Sequence, residues 1–243
     1  MLHRDGSAKD VKVRRLTMLI GALSACGLLL AAPPRALAAQ GAVEGRVTIT
    51  ERAGERTEDL GNTIMYLVRN GGASARPRPA DATIAMNGRT FVPRVRVVPV
   101  GSKVNFPNQD PFSHNVFSTS PTARFDLGLY PSGRSKDVTF RRAGVVPVYC
   151  NIHPRMTSFV LTVDTPYFTQ AGEDGRWRIA NVPAGEYTVH IWHERAEAVE
   201  RPLTVVASGN PAFDVTLDAR GFRFVQHRNK FGREYDRSGP DRY

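Results

Sequence analysis

The sequence predicts an all-β protein, on three observations. Beyond residue 38 no convincing amphipathic helix appears. Short β-branched and aromatic runs alternate instead with turns rich in Gly, Pro, Asn and Asp. The 205 residues after residue 38 are enough for two ordinary β domains and more than one small sandwich needs. Taken in order, strands are expected at 43–49, 63–69, 94–98, 103–106, 115–118, 137–140, 145–149 and 159–163. A second group follows at 176–179, 187–192, 203–206 and 213–217. Between 69 and 81, Arg69-Asn70-Gly71-Gly72 and Arg76-Pro77-Arg78-Pro79 read as a polar linker.

The first 38 residues read as an export signal. Lys9, Lys12, Arg14 and Arg15 precede an apolar run from Leu16 to Ala32, and Ala36-Leu37-Ala38 offers a small-x-small cleavage pattern. The run is short for a membrane span and carries Thr17, Gly21, Ser24 and Gly27. A cleaved, periplasmic protein without a remaining transmembrane span is expected. A lipoprotein box at Leu23-Ser24-Ala25-Cys26 and a twin-arginine signal at Arg14-Arg15 are the alternatives. Leu28-Leu29-Leu30 after Cys26, and the flanks of the arginine pair, match those signals poorly. The net charge of +10 is concentrated at the ends: residues 1–38 contribute +4 and residues 219–243 another +4, leaving about +2 for the body. The basic balance therefore describes the termini, not the folded body.

Cleavage leaves one cysteine, Cys150, and in an oxidising compartment an unpaired thiol is a hazard. Its surroundings supply a reason for it. Tyr149-Cys150-Asn151-Ile152-His153-Pro154-Arg155-Met156 places a thiolate, an imidazole and a thioether at C-x-x-H-x-x-M spacing between two apolar runs. A second imidazole, His114, follows the turn-rich Asn108-Gln109-Asp110-Pro111 stretch. Two His, one Cys and a weak Met form the ligand set of a trigonal copper site tuned for electron transfer. Soft sulfur stabilises Cu(I), imidazoles also suit Cu(II), and a weak Met leaves neither state strongly preferred. His114, Cys150, His153 and Met156 are thus the candidate ligands of one copper ion.

From about Ala82 to Val163 the chain resembles the cupredoxin family. The resemblance runs through Met86–Pro93, Val100–Asn108, His114-Asn115-Val116 and Gly144–Tyr149 to Cys150, His153 and Met156. The tight C-x-x-H-P-x-M loop looks most like amicyanin, and the whole is similar to exported cupredoxins associated with methylamine utilisation. This implies a Greek-key β-sandwich, with His114, Cys150 and His153 equatorial, Met156 axial and His153 the exposed exit for the electron. It also implies that the backbone at Asn115 hydrogen-bonds the thiolate. Asn108 ties the ligand loops together or simply forms a turn.

The flanks resemble something else. Gly45-Arg46-Val47-Thr48 with Gly61–Leu67, and later Glu173–Ile179 with Asn181–Val189, are similar to a carboxypeptidase-regulatory or transthyretin-like sandwich. The expected layout is a signal (1–38), opening strands of this second, smaller sandwich (39–69), linker (70–81), copper domain (82–165), remainder of the second sandwich (166–218) and basic tail (219–243). The copper domain would then be inserted in the second sandwich. The competing layout puts residues 43–69 inside the cupredoxin, and strand pairing decides between them.

His190 and His193, three apart on a strand, face opposite sides and make a poor chelate, so they read as core or surface histidines. The tail from Gly221 to Phe231 interleaves basic and aromatic residues. Single-stranded nucleic acid would suit such a pattern in the cytosol. In an exported chain a solvated tail is expected, then docking to an acidic partner or anionic membrane. The leading function is single-electron transfer between exported redox partners, such as a dehydrogenase or cytochrome, with no nucleic acid involved. A copper carrier or chaperone is the alternative, although five Met and six His are few for such proteins. Multicopper oxidases and copper nitrite reductases need further His clusters, and a dinuclear centre needs two loop cysteines. The sequence has neither.

Overall fold

The computed structural model describes residues 39–71 and 75–235. The expected export signal, Cys26 and the last eight residues lie outside the described residues. In chain order the strands are β1 (Gln40–Thr50), β2 (Ile64–Arg69), β3 (Ala82–Thr83), β4 (Ala85–Asn87), β5 (Thr90–Val92), β6 (Val95–Pro99), β7 (Lys103–Pro107), β8 (His114–Ser118) and β9 (Phe125–Tyr130). They continue as β10 (Ser135–Thr139), β11 (Gly144–Cys150), β12 (Thr157–Val163), β13 (Phe168–Gln170), β14 (Arg176–Pro183), β15 (Gly185–Trp192), β16 (Val199–Val205) and β17 (Val215–Asp218). The chain is all-β, and among the described residues no helix is long and apolar enough to cross a membrane.

Residues 82–163 build one pair of sheets. Strands β6-β12-β11-β8-β9 lie side by side in that order, facing a second sheet β10-β7-β3, with the β4-β5 hairpin alongside. Phe106, Val116, Phe140, Val146, Val148 and Val160 fill the space between. The remaining strands build a second pair of sheets, β14-β1-β17 and β13-β2-β15-β16. Here β1 runs parallel to β17 (Val47 opposite Val215) and antiparallel to β14 (Gly45 opposite Trp177). Strand β2 pairs with β13 and β15. Among the described residues neither β1 nor β2 pairs with residues 95–106.

The two halves share an apolar face. In β2, Met65 and Leu67 point into the second sandwich, whereas Ile64 and Tyr66 point at the first. In β12, Val160 faces its own core while Phe159, Leu161 and Val163 face the neighbour. Both strands are packed on both faces, which is why consecutive apolar residues (Ile64 to Val68, Phe159 to Leu161) replace strict alternation. Phe159 meets Trp192 with ring centroids 5.5 Å apart. At the rim, Arg94 forks onto both carboxylate oxygens of Glu194, the second at 2.6 Å.

Several strands were not expected from sequence, and each has a local reason. In β9, Gly128 sits at φ +66° and the register with β8 slips between Asn115 and Phe117, which destroys period-two alternation. Strand β16 starts four residues before the expected 203 because Pro202 is tolerated on the sheet's edge. The strands β3, β4, β5 and β13 are only two or three residues long. The expectation of a solvated tail holds only in part: Arg223, Arg228 and Arg233 are exposed, but His227, Lys230 and Tyr235 fold back onto the first sandwich. Phe117 faces outward on β8 yet is 1% exposed, because His227 of the tail lies against it.

Candidate metal centre

Strand register brings the candidate ligands together. In β11 the inward positions are Val146, Val148 and Cys150, spaced by two, so the strand's pleat aims the thiol at the core. Cys150 lies opposite Val116 of the adjacent β8, and His114 begins that strand on the same inward face. The loop after β11 is closed by two backbone bonds, Met156 N–H to His153 C=O at 3.0 Å and Cys150 N–H to Met156 C=O at 3.3 Å. Those bonds hold His153 over Cys150. Met156 is buried in the same apolar cluster as Cys150.

Three donor atoms converge. Cys150 Sγ lies 3.6 Å from His114 Nδ1 and 3.5 Å from His153 Nδ1, and the two nitrogens are 3.1 Å apart. A point equidistant from all three lies about 2.0 Å from each, within the span of metal–imidazole and metal–thiolate bonds, about 2.0–2.3 Å. The residues therefore fit a single ion. Among the described residues this is the one group of three or more His, Cys or carboxylate side chains close enough to share a metal.

The imidazole of His114 is oriented by a residue the sequence reading passed over. Its Nε2–H donates to Asp110 Oδ2 at 2.8 Å, which leaves the Nδ1 lone pair facing the sulfur. Asp110 also accepts the backbone N–H of Gly88 (2.6 Å) and of Arg89 (3.0 Å) at the β4-β5 turn. Both turn residues are left-handed, at φ +64° and +57°. That conformation costs Arg89 about 1–2 kcal/mol, offset by its amide bond to Asp110 and by its guanidinium over the Phe112 ring, 5.0 Å from the centroid. Burial pushes the Asp110 carboxyl up, but the Arg89 amide, His114 ring and Gly88 amide together hold it below its ordinary value. Burial depresses His114, more than Asp110 raises it, which favours the neutral ring that a metal ligand requires. The signal available in the sequence was an acid four residues before His114, within an Asn-Gln-Asp turn.

The sulfur is cradled by amides. Backbone N–H groups of Ile152, Asn115 and His153 favour the thiolate, yet burial outweighs them and pushes the Cys150 thiol up. A cation between the two imidazoles would tip that balance toward the anion. Asn115 is thus one of the three residues whose backbone N–H groups favour the thiolate. Asn108 braces the loop beneath: its Nδ2 donates to the carbonyls of Phe112 (2.8 Å) and Tyr130 (3.2 Å), and its Oδ1 accepts the Asp110 amide at 3.0 Å. Phe112 packs against both imidazoles, at 5.2 Å and 5.7 Å between centroids. The other histidines lie elsewhere. His190 stacks on Tyr66 at 4.6 Å, and His193 is buried with its Nε2 donating to the Asp59 carbonyl at 3.2 Å.

Fold and site together define an all-β protein with a buried His–Cys–His group. The chain matches no family model and no curated protein. Among solved structures it is similar to a purple cupredoxin from Nitrosopumilus maritimus, at 23% identity and TM-score 0.31 over 34% of this chain and 99% of that one. It is similar to a Cu(I) amicyanin variant at 20% identity and TM-score 0.32, over 33% of this chain and 80% of that one. A copper-containing nitrite reductase from Thermus scotoductus SA-01 matches at 23% identity and TM-score 0.33, over 48% of this chain and 28% of that one.

Proposed function

We propose that His114, Cys150 and His153 hold one copper ion, with Met156 as a weak fourth ligand, and that the protein carries single electrons between exported redox partners. Copper bound there would supply a Cu(I)/Cu(II) couple. The observation carrying this reading is the triangle of one sulfur and two Nδ1 atoms around a common centre about 2.0 Å away. A thiolate and two imidazoles with a weak thioether suit both oxidation states of copper, whereas zinc favours four strong ligands. Asp110 fixes the His114 ring, the three amides fix the sulfur, and the closed loop fixes His153, so little rearranges when the charge changes.

Burial favours electron transfer over a carrier. Cys150 and His114 are both fully buried, so direct ligand exchange with an acceptor protein would require the loop to open. The half-buried His153 offers the short route for an electron to the surface. We read the protein as a non-enzyme, exported by its signal, with the second sandwich, transthyretin-like in its sequence pattern, serving as a docking or spacing module. Its partners would be an exported dehydrogenase or cytochrome.

The test is copper loading of the chain beside Cys150→Ala, with metal analysis and a visible spectrum. One copper per chain and an intense visible band in the parent, both lost in the variant, are expected. Equal copper binding with identical spectra, or a preference for zinc with no visible band, would overturn the reading.

A further inference from the structure

The described part of the C-terminal tail is not a loose appendage but a built element lying on the ligand loop. Arg52 of the second sandwich holds its root, donating to the carbonyls of Arg220 (2.9 Å) and Phe222. Asn229 then organises a tight turn: its Oδ1 accepts the amides of Phe231 and Arg233, both at 3.0 Å, and its amide reaches the Arg233 carbonyl at 2.9 Å. The tail around that turn presents three contacts to the sulfur-bearing end of β11. The Tyr235 hydroxyl donates to the Cys150 carbonyl at 3.0 Å. The Lys230 amide donates to Asn151 Oδ1 at 2.9 Å. The His227 ring stacks on Tyr149 at 4.4 Å and 23°, with Tyr235 edge-on to it at 5.4 Å.

A fourth contact reaches the other ligand strand. Lys230 Nζ lies 2.6 Å from Asp126 Oδ2, and Asp126 Oδ1 accepts Asn115 Nδ2 at 2.7 Å. Asn115 is the residue whose backbone amide favours the Cys150 thiolate. The tail therefore grips Tyr149, Cys150 and Asn151 directly and Asn115 through one carboxylate. Arg223, Arg228 and Arg233 face water as in a solvated basic tail, but His227, Lys230 and Tyr235 make a set of contacts that such a tail would lack.

We propose that residues 221–235 are a strap of the metal centre, in which Tyr235 and His227 act as positioning residues for Cys150. The strap ties the loop to the second sandwich through Arg52, so ion retention and access to the sulfur depend on a segment far from the ligands in sequence. This rests on the copper reading only for the loaded protein; the hold on Cys150 exists without metal.

The test uses the full chain carrying His227→Ala with Tyr235→Phe, beside His227→Phe, which keeps the stack, and Phe231→Ala, an exposed control. In metal-free protein, alkylation of Cys150 by iodoacetamide should accelerate about tenfold or more in the double variant. It should stay within about twofold of the parent in His227→Phe and Phe231→Ala. After loading, transfer of Cu(I) to a chelator should quicken by about 10–100-fold in the double variant, the usual cost of losing groups that orient metal ligands, with the visible band shifted. An unchanged alkylation rate overturns the strap, as does acceleration matched by an equal loss of global urea stability. If the parent takes up no copper, the proposed function fails while the alkylation arm still judges the strap.

Discussion

Replacing Asp110 with alanine isolates the group that aims His114. The carboxylate accepts three donors, the amides of Gly88 and Arg89 and His114 Nε2–H. It is 4% exposed and His114 is fully buried, so little water reaches the donors left behind. Each orphaned donor costs about 1–3 kcal/mol. The low end applies here, because alanine leaves room for a water and relieves the burial of a charge, so about 3 kcal/mol of metal-free stability should be lost. Copper affinity should fall about 10–100-fold, because the ring can then protonate Nδ1 and turn its lone pair from the sulfur. Urea unfolding of the metal-free protein and a Cu(I) chelator competition measure the two quantities. A stability loss below about 1 kcal/mol, together with unchanged affinity, would refute the argument that Asp110 sets the tautomer.

Other outcomes follow from packing and charge elsewhere. Leu161→Ala, in the face shared by the two halves, should cost about 2–4 kcal/mol in urea unfolding; a loss under about 1 kcal/mol would mean the halves do not support each other. Gly45→Ala should cost about 1–3 kcal/mol, since a Cβ there would meet the Phe213 carbonyl carbon at 2.5 Å. Glu51 is held below its ordinary value by Arg195, which forks onto it at 2.7 and 2.9 Å. A depressed folded value means the stabilisation is present above the unfolded value of 4.5 and is lost as pH falls through the folded one. Glu51→Gln should therefore destabilise by about 1–2 kcal/mol at pH 7, and the gap to the parent should narrow below pH 4.5 in pH-dependent unfolding curves.

Much of the fold was legible because its signals are local. The period-two burial of Val146, Val148 and Cys150 and the C-x-x-H-x-x-M spacing both live within one strand and its loop. The double-faced strands β2 and β12 carry consecutive apolar residues, Ile64 to Val68 and Phe159 to Leu161. What stayed hidden depends on contacts between distant residues. Asp110 looks like an ordinary turn acid until the Gly88–Arg89 turn closes around it. The tail looks like solvated basic sequence, because nothing near Tyr235 or Lys230 in the chain reveals that Cys150, Asn151 and Asp126 wait 79 to 104 residues away. Gly128 breaks the alternation of β9, so a real strand leaves no readable period.

The strand pairing also sets a schedule for assembly. As the chain emerges from its N-terminal end, β1 and β2 appear first but find their neighbours β13, β14, β15 and β17 only after residue 168 has followed. The ligand-bearing half, whose pairings all fall between residues 82 and 163, can close meanwhile beside two open sheet edges. Those waiting edges are the stretch most exposed to wrong pairing. Tyr235 arrives after every candidate ligand and every strand of the described residues, so Cys150 passes through an interval with its loop built but the Tyr235 contact not yet made.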